Sequence, residues 1–245
     1  MNELNFSGKT VLVVGGSSGI GNGIARAFAE RGAAVHVWGT RQSADDYTGA
    51  EGSDLTGLHY DFMDVADRDA IDAYAPPFKT LDVLVLCQGT VIYKRGEFER
   101  AGWDKVMSVN LDSLMACATK FKMMLQEARG SLIVVSSTSA FHATRGNPAY
   151  AASKAGAVGL TRTLGEAWAP EGIRVNGIAP GFVDTKLTKV TTQNESRRTA
   201  ALAGIPVGRF GTPQDMAGPA LFLASPFAAY VCGQTLIVDG GLILS

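Results

Sequence analysis

Short runs of consecutive apolar residues alternate along the chain with longer stretches in which apolar positions recur every three or four residues. "KTVLVVG" (9–15) reads as a strand buried on both faces, and Ile20, Ile24, Ala27 and Phe28 then repeat at helical spacing over 19–31, until Gly32 stops the helix. The same pattern predicts strands at "AAVHVWG" (33–39), "LHYDF" (58–62), "LDVLVLC" (81–87), "GSLIVVSS" (130–137), "IRVNGIA" (173–179) and "TLIVD" (235–239). Helices are predicted near 67–75, across 102–127, from about 150 to 169 and from Pro213 onward. Repeated strand–helix alternation implies a doubly wound parallel sheet with helices on both faces, an α/β/α arrangement in three layers. No repeat, low-complexity segment or long linker divides it, so residues 1–245 read as one domain. The stretch at about 185–206 shows no clear periodicity and reads as an irregular lid.

Gly15, Gly16, Gly19 and Gly21 crowd the turn between the first strand and the first helix. Each glycine in an ordered element costs roughly 0.5–1 kcal/mol relative to alanine, so such a cluster is expected where side chains would obstruct something. Open parallel sheets bind ligands beyond the carboxyl ends of their strands. A glycine turn there lets a dinucleotide's pyrophosphate approach the backbone and sit on the helix N-terminus. A tight turn with close helix packing explains the same spacing without a ligand. A second cluster favours the ligand. "YAASK" puts Tyr150 and Lys154 four apart on one helix face, and Ser137 ends the strand before them.

Composition narrows the partners. The 245 residues are 46% hydrophobic and 18% charged, with a net charge of −1 and no block of lysine or arginine, so neither nucleic acid nor a membrane surface is expected as a partner. Cys87, Cys117 and Cys232 are widely spaced and odd in number, and no basic-then-apolar leader opens the chain, which reads as a cytoplasmic protein with reduced thiols. His36, His59 and His142 lack ligand spacing, so no metal site and no histidine-based hydrolase is expected.

These motifs together resemble the compact branch of the short-chain dehydrogenase/reductase family over nearly the whole chain, with 3-oxoacyl-carrier reductases as its nearest pattern. The matches are Gly15, Gly19 and Gly21, Asp64-Val65, Asn110 in "VMSVNLDS", Ser137, Tyr150 with Lys154, "RVNGIAPGFVDT" (174–185) and "GQTLIVDGG" (233–241). Two departures stand out. Val14 replaces the usual threonine before the first glycine, and Cys87-Gln88-Gly89 replaces the family's N-A-G.

The resemblance implies a Rossmann-type fold and an NAD(P)-dependent oxidoreductase that interconverts a secondary alcohol and a ketone by hydride transfer. Tyr150 would be the general acid and base. A free tyrosine titrates near ~10, so work near neutral pH calls for a shift of about three units toward phenolate, with Lys154 and the oxidised nicotinamide as the cations behind it. Ser137 would hold the substrate oxygen, Lys154 would also bind the nicotinamide ribose, and Asn110 would hold a water relaying protons from Lys154. Implied cofactor contacts are Gly15, Ser17, Ser18, Gly19, Ile20 and Gly21 in the turn, Asp64, Val65 and Gly89 further along, and Tyr150 and Lys154. Pro180, Gly181, Val183 and Thr185 complete them at the nicotinamide end.

NAD-preferring relatives carry a carboxylate at the end of the second strand. Gly39 stands there here, followed by Thr40 and Arg41, which points to NADP; the alternative is an Arg41 paired with Asp45 or Asp46. The substrate pocket is expected from Val91 to Tyr93, from residues 139–147 and from the lid. The family pattern implies a homotetramer, with helices around 103–127 and 150–169 in one interface and the C-terminal strand region in another. Carrier-protein reductases place basic side chains before the fifth strand and after the catalytic helix. Arg129 and Glu171 occupy those places, which favours a free small ketone or secondary alcohol over a carrier-bound acyl chain. A 3-oxoacyl-acyl-carrier-protein reductase and a non-catalytic dinucleotide-binding regulator remain the alternatives.

Overall fold

The computed structural model describes residues 4–47, 49 and 52–244. The first half of the fold runs through β1 (Thr10–Val14), α1 (Gly19–Ala29), β2 (Ala34–Gly39), β3 (His59–Phe62), α2 (Arg68–Ala73), β4 (Val83–Leu86), α3 (Arg100–Met107) and α4 (Ser113–Ala128). The second runs through β5 (Ser131–Val135), α5 (Pro148–Trp168), β6 (Arg174–Pro180), α6 (Lys189–Thr192), α7 (Glu195–Ala203), α8 (Pro213–Ala224) and β7 (Thr235–Val238). The strands form one sheet in the order β3-β2-β1-β4-β5-β6-β7, with every pairing parallel.

Alternation along each strand builds the two cores. Val11, Val13, Val35, Val37, Val83 and Val85 meet Ile24 and Phe28 of α1 and Leu221 of α8 on one face. Leu12, Val14, Trp38, Leu84, Leu86 and Leu132 meet Phe121 and Leu125 of α4 and Leu164 and Trp168 of α5 on the other. Burying each such side chain is worth about 1.5–3 kcal/mol, and both faces contribute, which is why the strands read as unbroken apolar runs. Arg174 fastens the layers at the start of β6. Its guanidinium donates to the carbonyls of Leu223 (2.6 Å) and Ala224 (3.1 Å) at the negative end of α8, and to Ser131 Oγ (2.6 Å).

The chain leaves β1 outward through β2 and β3, then returns to lay β4 on the other side of β1. That reversal opens a crevice above the carboxyl ends of β1 and β4.

Two expectations change. The single helical region across 102–127 is two helices, α3 and α4, joined by a π-helical turn at Ser108–Asp112 that carries buried Asn110. The stretch after Thr185 is helical, comprising the 3₁₀ turn Lys186–Thr188, then α6 and α7. None of the side chains of α7 is buried, so it has no apolar stripe to betray it. Asn194 starts it by accepting from the Arg197 amide at 3.0 Å. Among the described residues no helix is long and apolar enough to cross a membrane, and no cluster of metal-ligating side chains occurs.

Candidate active site

At the end of β1 the backbone enters left-handed conformations that favour glycine, with φ +75° at Gly15 and +54° at Gly19. A Cβ on Gly21 would stand 2.2 Å from the Gly15 carbonyl oxygen, so no other residue fits there without displacing backbone. α1 begins at Gly19, and Ser18 before it makes no side-chain cap, which leaves the positive end of the helix without a competing oxygen of its own N-cap. Buried Asn22 pins the turn. It donates to the carbonyls of Gly16 (3.2 Å) and Asp54 (2.9 Å) and accepts from the Asp54 amide (3.0 Å). It leaves no signal in the sequence, because it stands on the side of α1 opposite Ile20, Ile24 and Phe28, where a polar residue is expected.

At the end of β2 the space beside Gly39 is filled by two hydroxyls. A Cβ there would lie 2.5 Å from Tyr47 Oη and 2.6 Å from Ser17 Oγ. Tyr47 Oη accepts from the amides of Thr40 (3.1 Å) and Arg41 (3.3 Å), while the Arg41 guanidinium lies 4.6 Å from the centre of the Tyr47 ring. Arg41 also donates to Asp46, at its main-chain carbonyl. Sequence reasoning misses Tyr47, a lone aromatic in a polar loop with no periodic signal.

β5 ends just before Ser137, and the first turns of α5 carry Tyr150 and Lys154. Lys154, only 4% exposed, donates to the Val135 carbonyl at 2.9 Å and lies 5.7 Å from the centre of the Tyr150 ring. Burial pushes the Lys154 ammonium down to about 8. Burial also pushes the Tyr150 phenol up to about 12, against the pull of the Ser137 hydroxyl, with Tyr93, Cys87 and Glu97 adding to the rise. This direction is opposite to the one that Lys154 and an oxidised nicotinamide are expected to give, and desolvation is its largest cause. At neutral pH the phenol keeps its proton.

Asn110 sits behind this group. Its side chain donates to the Thr90 carbonyl (2.9 Å) and Ser153 Oγ (3.2 Å) and accepts from the Thr90 amide (2.7 Å). These bonds brace the loop after β4 against α5. Of the residues that replace the family's N-A-G in the neighbouring loop, Cys87 is half-buried and Gln88 is buried. Burial holds the Cys87 thiol up at about 12, and Gln88 donates to Ser113 Oγ at 2.9 Å.

On the far wall, β6 ends at Pro180, and a Cβ on Gly181 would meet Asp239 Cβ at 2.7 Å. Val183 bridges to Gly211. Thr185 Cγ2 lies 3.3 Å from where a Gly19 side chain would begin, and Tyr93 Oη donates to the Leu187 carbonyl at 2.6 Å. The base of the helical segment after Thr185 therefore rests against both the glycine turn and the loop after β4.

One cleft of about 870 Å³ gathers nearly every residue singled out in the sequence. Gly15, Ser17, Ser18, Gly19, Ile20, Gly21, Thr40, Arg41, Asp64, Val65, Gly89, Ser137, Tyr150, Lys154, Pro180, Gly181, Val183 and Thr185 line it. Asn110 does not. Of the expected substrate wall, Val91 and Tyr93 line it and, among the described residues, 139–147 do not; Asn147 instead turns to Ile92 and Glu97. The arrangement can hold a long anionic ligand at the glycine turn and deliver a proton from Tyr150 at the other end.

The family model described as Enoyl-(Acyl carrier protein) reductase, a short-chain dehydrogenase model, matches residues 14–243. The chain belongs to the short-chain dehydrogenase/reductase family. It is 38% identical to a 3-oxoacyl-acyl-carrier-protein reductase of Chlamydia muridarum over 253 aligned positions, covering 99% of this chain and 100% of the relative. It is also 38% identical to a 2-dehydro-3-deoxy-D-gluconate 5-dehydrogenase of Pseudoalteromonas atlantica, covering 98% of each. The crystal structure of a gluconate 5-dehydrogenase from Burkholderia cenocepacia, in complex with NADP and tartrate, superposes with a TM-score of 0.88 at 30% identity, covering 100% of this chain and 98% of that one. Membership in the short-chain dehydrogenase/reductase family makes the chain an oxidoreductase and accounts for the parallel seven-stranded sheet.

Proposed function

We propose that this short-chain dehydrogenase/reductase interconverts a free secondary alcohol and its ketone with NADP(H), as a cytoplasmic homotetramer of single-domain chains. The observation that carries the reading is the convergence of Ser137, Tyr150 and Lys154 on the cleft whose other end is the glycine turn. The gap at Gly19, where an added carbon would come within 3.3 Å of Thr185 Cγ2, and the start of α1, whose N-cap side chain makes no bond, fit a pyrophosphate. Gly15 and Ser17 to Gly21 would hold it, Asp64, Val65 and Gly89 the adenosine side, and Lys154 the nicotinamide ribose. Pro180, Gly181, Val183 and Thr185 would hold the carboxamide. When bound, the cofactor supplies or takes the hydride.

The chain's own residues do the rest. Ser137 Oγ donates to the substrate carbonyl oxygen and holds it beside Tyr150. Tyr150 Oη gives its proton to that oxygen as negative charge develops there, and recovers it in the reverse direction. Lys154, charged below about pH 8, stands by the resulting phenolate and favours it. Asn110 keeps the loop after β4 against α5. The segment at 185–206 acts as the lid, latched by the Tyr93 bond to Leu187.

NADP(H) is favoured because no carboxylate stands at the end of β2 to repel a 2′-phosphate, and Arg41 has a guanidinium beside that point. Arg41 and Tyr47 must then trade their mutual contacts for the phosphate. The test is kcat/KM for both cofactors in the parent and in Arg41→Ala. The parent should prefer NADP(H), and the substitution should cost roughly 10-fold with NADP(H), the loss of one charged hydrogen bond, while NAD(H) barely changes. A parent that prefers NAD(H), or an unchanged NADP(H) value, overturns the reading.

The sugar-acid dehydrogenases among the relatives support a free substrate. At the place where an acidic carrier would dock, Lys122 pairs with Glu171 at 2.8 Å, an acidic side chain such a surface would exclude. The carrier-protein reductases among the relatives keep an acyl-carrier substrate as the second reading. For the assembly, exposed Trp103, Met115 and Met123 on α3 and α4, and Phe227, Tyr230 and Leu244 near the C-terminus, mark two apolar faces. Light scattering at micromolar concentration should give the mass of a tetramer; a monomer would contradict it.

A further inference from the structure

Glu97 is fully buried, and the chemistry above does not use it. It lies in the 3₁₀ turn Gly96–Phe98, between the loop after β4 and α3. Its Oε1 accepts from the Ile92 amide and from Asn147 Nδ2, both at 3.0 Å, and its Oε2 accepts from the Tyr150 amide at 2.9 Å. No ion pair involves it among the described residues.

The start of α5 shows why these bonds matter. A helix leaves its first amides without internal partners, normally answered by the oxygen of the N-cap side chain. Asn147 is the N-cap here but makes no cap bond, because its amide nitrogen donates to Glu97 and to the Ile92 carbonyl instead. Pro148 has no amide hydrogen. The Tyr150 amide is therefore answered from another element, by a carboxylate placed at the positive end of the helix. The same carboxylate fixes Ile92, whose neighbours Val91 and Tyr93 line the cleft.

We propose that Glu97 is a positioning residue for the reaction: one carboxylate ties the main chain of Tyr150 to the substrate wall at Ile92, so that acid and substrate keep a fixed separation. The proposal rests on Tyr150 as the acid. A small misplacement of a reacting group costs a large factor in rate, and this single group sets both positions.

Glu97→Gln keeps the size but turns one acceptor into a donor. With the amide oxygen kept toward Ile92 and Asn147, the new NH₂ faces the Tyr150 amide. The expected result is a kcat lowered by about 10-fold or more and a raised KM for the ketone, with the dissociation constant of NADPH within about twofold of the parent. The double variant Glu97→Gln, Asn147→Asp supplies an acceptor on the other side, so that the oxygen of the introduced amide can turn to Tyr150. It should recover kcat to within about threefold of the parent, a coupling that independent sites do not show, while the KM for the ketone stays raised, because the introduced NH₂ then faces the Ile92 amide and that amide loses its acceptor.

A Glu97→Gln enzyme with kcat and KM within about twofold of the parent would overturn the proposal. So would equal losses of kcat and NADPH affinity that the second substitution leaves unrepaired. If the single variant fails to fold and the double variant folds and turns over, the proposal stands; failure of both to fold makes Glu97 a stability residue only and overturns it. Tyr150→Phe in the parent separates the two readings, since normal turnover in that variant would sink the site assignment rather than the role of Glu97.

Discussion

Tyr150→Phe is expected to lower turnover at least ~10²-fold, the lower end of what general acid–base catalysis contributes. The substitution removes one hydroxyl and little volume, and the ring stays packed at the start of α5. The glycine turn and the walls at Asp64 and Pro180 are untouched, so cofactor affinity should stay close to the parent value. In the structure burial raises the phenol to about 12, and the Ser137 hydroxyl pulls against that rise from the same cleft. Without it, an alkoxide developing on the substrate oxygen meets Ser137 alone. Steady-state kinetics with any ketone the parent accepts, together with NADPH titration, would check this. Turnover within about threefold of the parent would remove Tyr150 from the mechanism.

Gly21→Ala should strike the opposite end of the cleft. The added carbon would sit 2.2 Å from the Gly15 carbonyl oxygen and 2.8 Å from the Gly15 carbonyl carbon, neither of which is the end of a flexible side chain. Relief requires the start of α1 to move away from the turn. Overpacking of this kind costs typically ~1–3 kcal/mol, and drawn from pyrophosphate binding the upper value is on the order of 10²-fold in affinity. Calorimetric titration with NADPH and a thermal melt would read both parts of the cost. Unchanged affinity together with an unchanged Tm would show that the turn does not cradle the cofactor.

The sheet is legible in the sequence because its strands are buried on both faces. Val11 to Val14, Val83 to Leu86 and Leu132 to Val135 are unbroken apolar runs for that reason, and each is a strand. The glycine turn and the Tyr150–Lys154 pair are legible because close approach and helical spacing each leave a fixed pattern. What the sequence hides depends on contacts between distant segments. The break between α3 and α4 follows from Asn110 bonding Thr90, and α7 has no buried face to give a period. Tyr47 and Glu97 act through main-chain amides that any sequence would offer. The direction of the Tyr150 shift is hidden for a similar reason: a nearby lysine is visible in the sequence, but the burial that raises the phenol is visible only in the fold.

Whether this cleft reduces ketones or merely holds a dinucleotide is decided most directly by a panel of free ketones, including keto sugar acids, beside acetoacetyl-carrier protein. Each is offered to the purified enzyme with NADPH and followed by both cofactor oxidation and product analysis. At least one free ketone should be converted to its secondary alcohol, one for each NADPH consumed, in the parent and not in Tyr150→Phe. Tight NADPH binding with no consumption on any member of the panel would contradict this and leave a dinucleotide-binding regulator in its place.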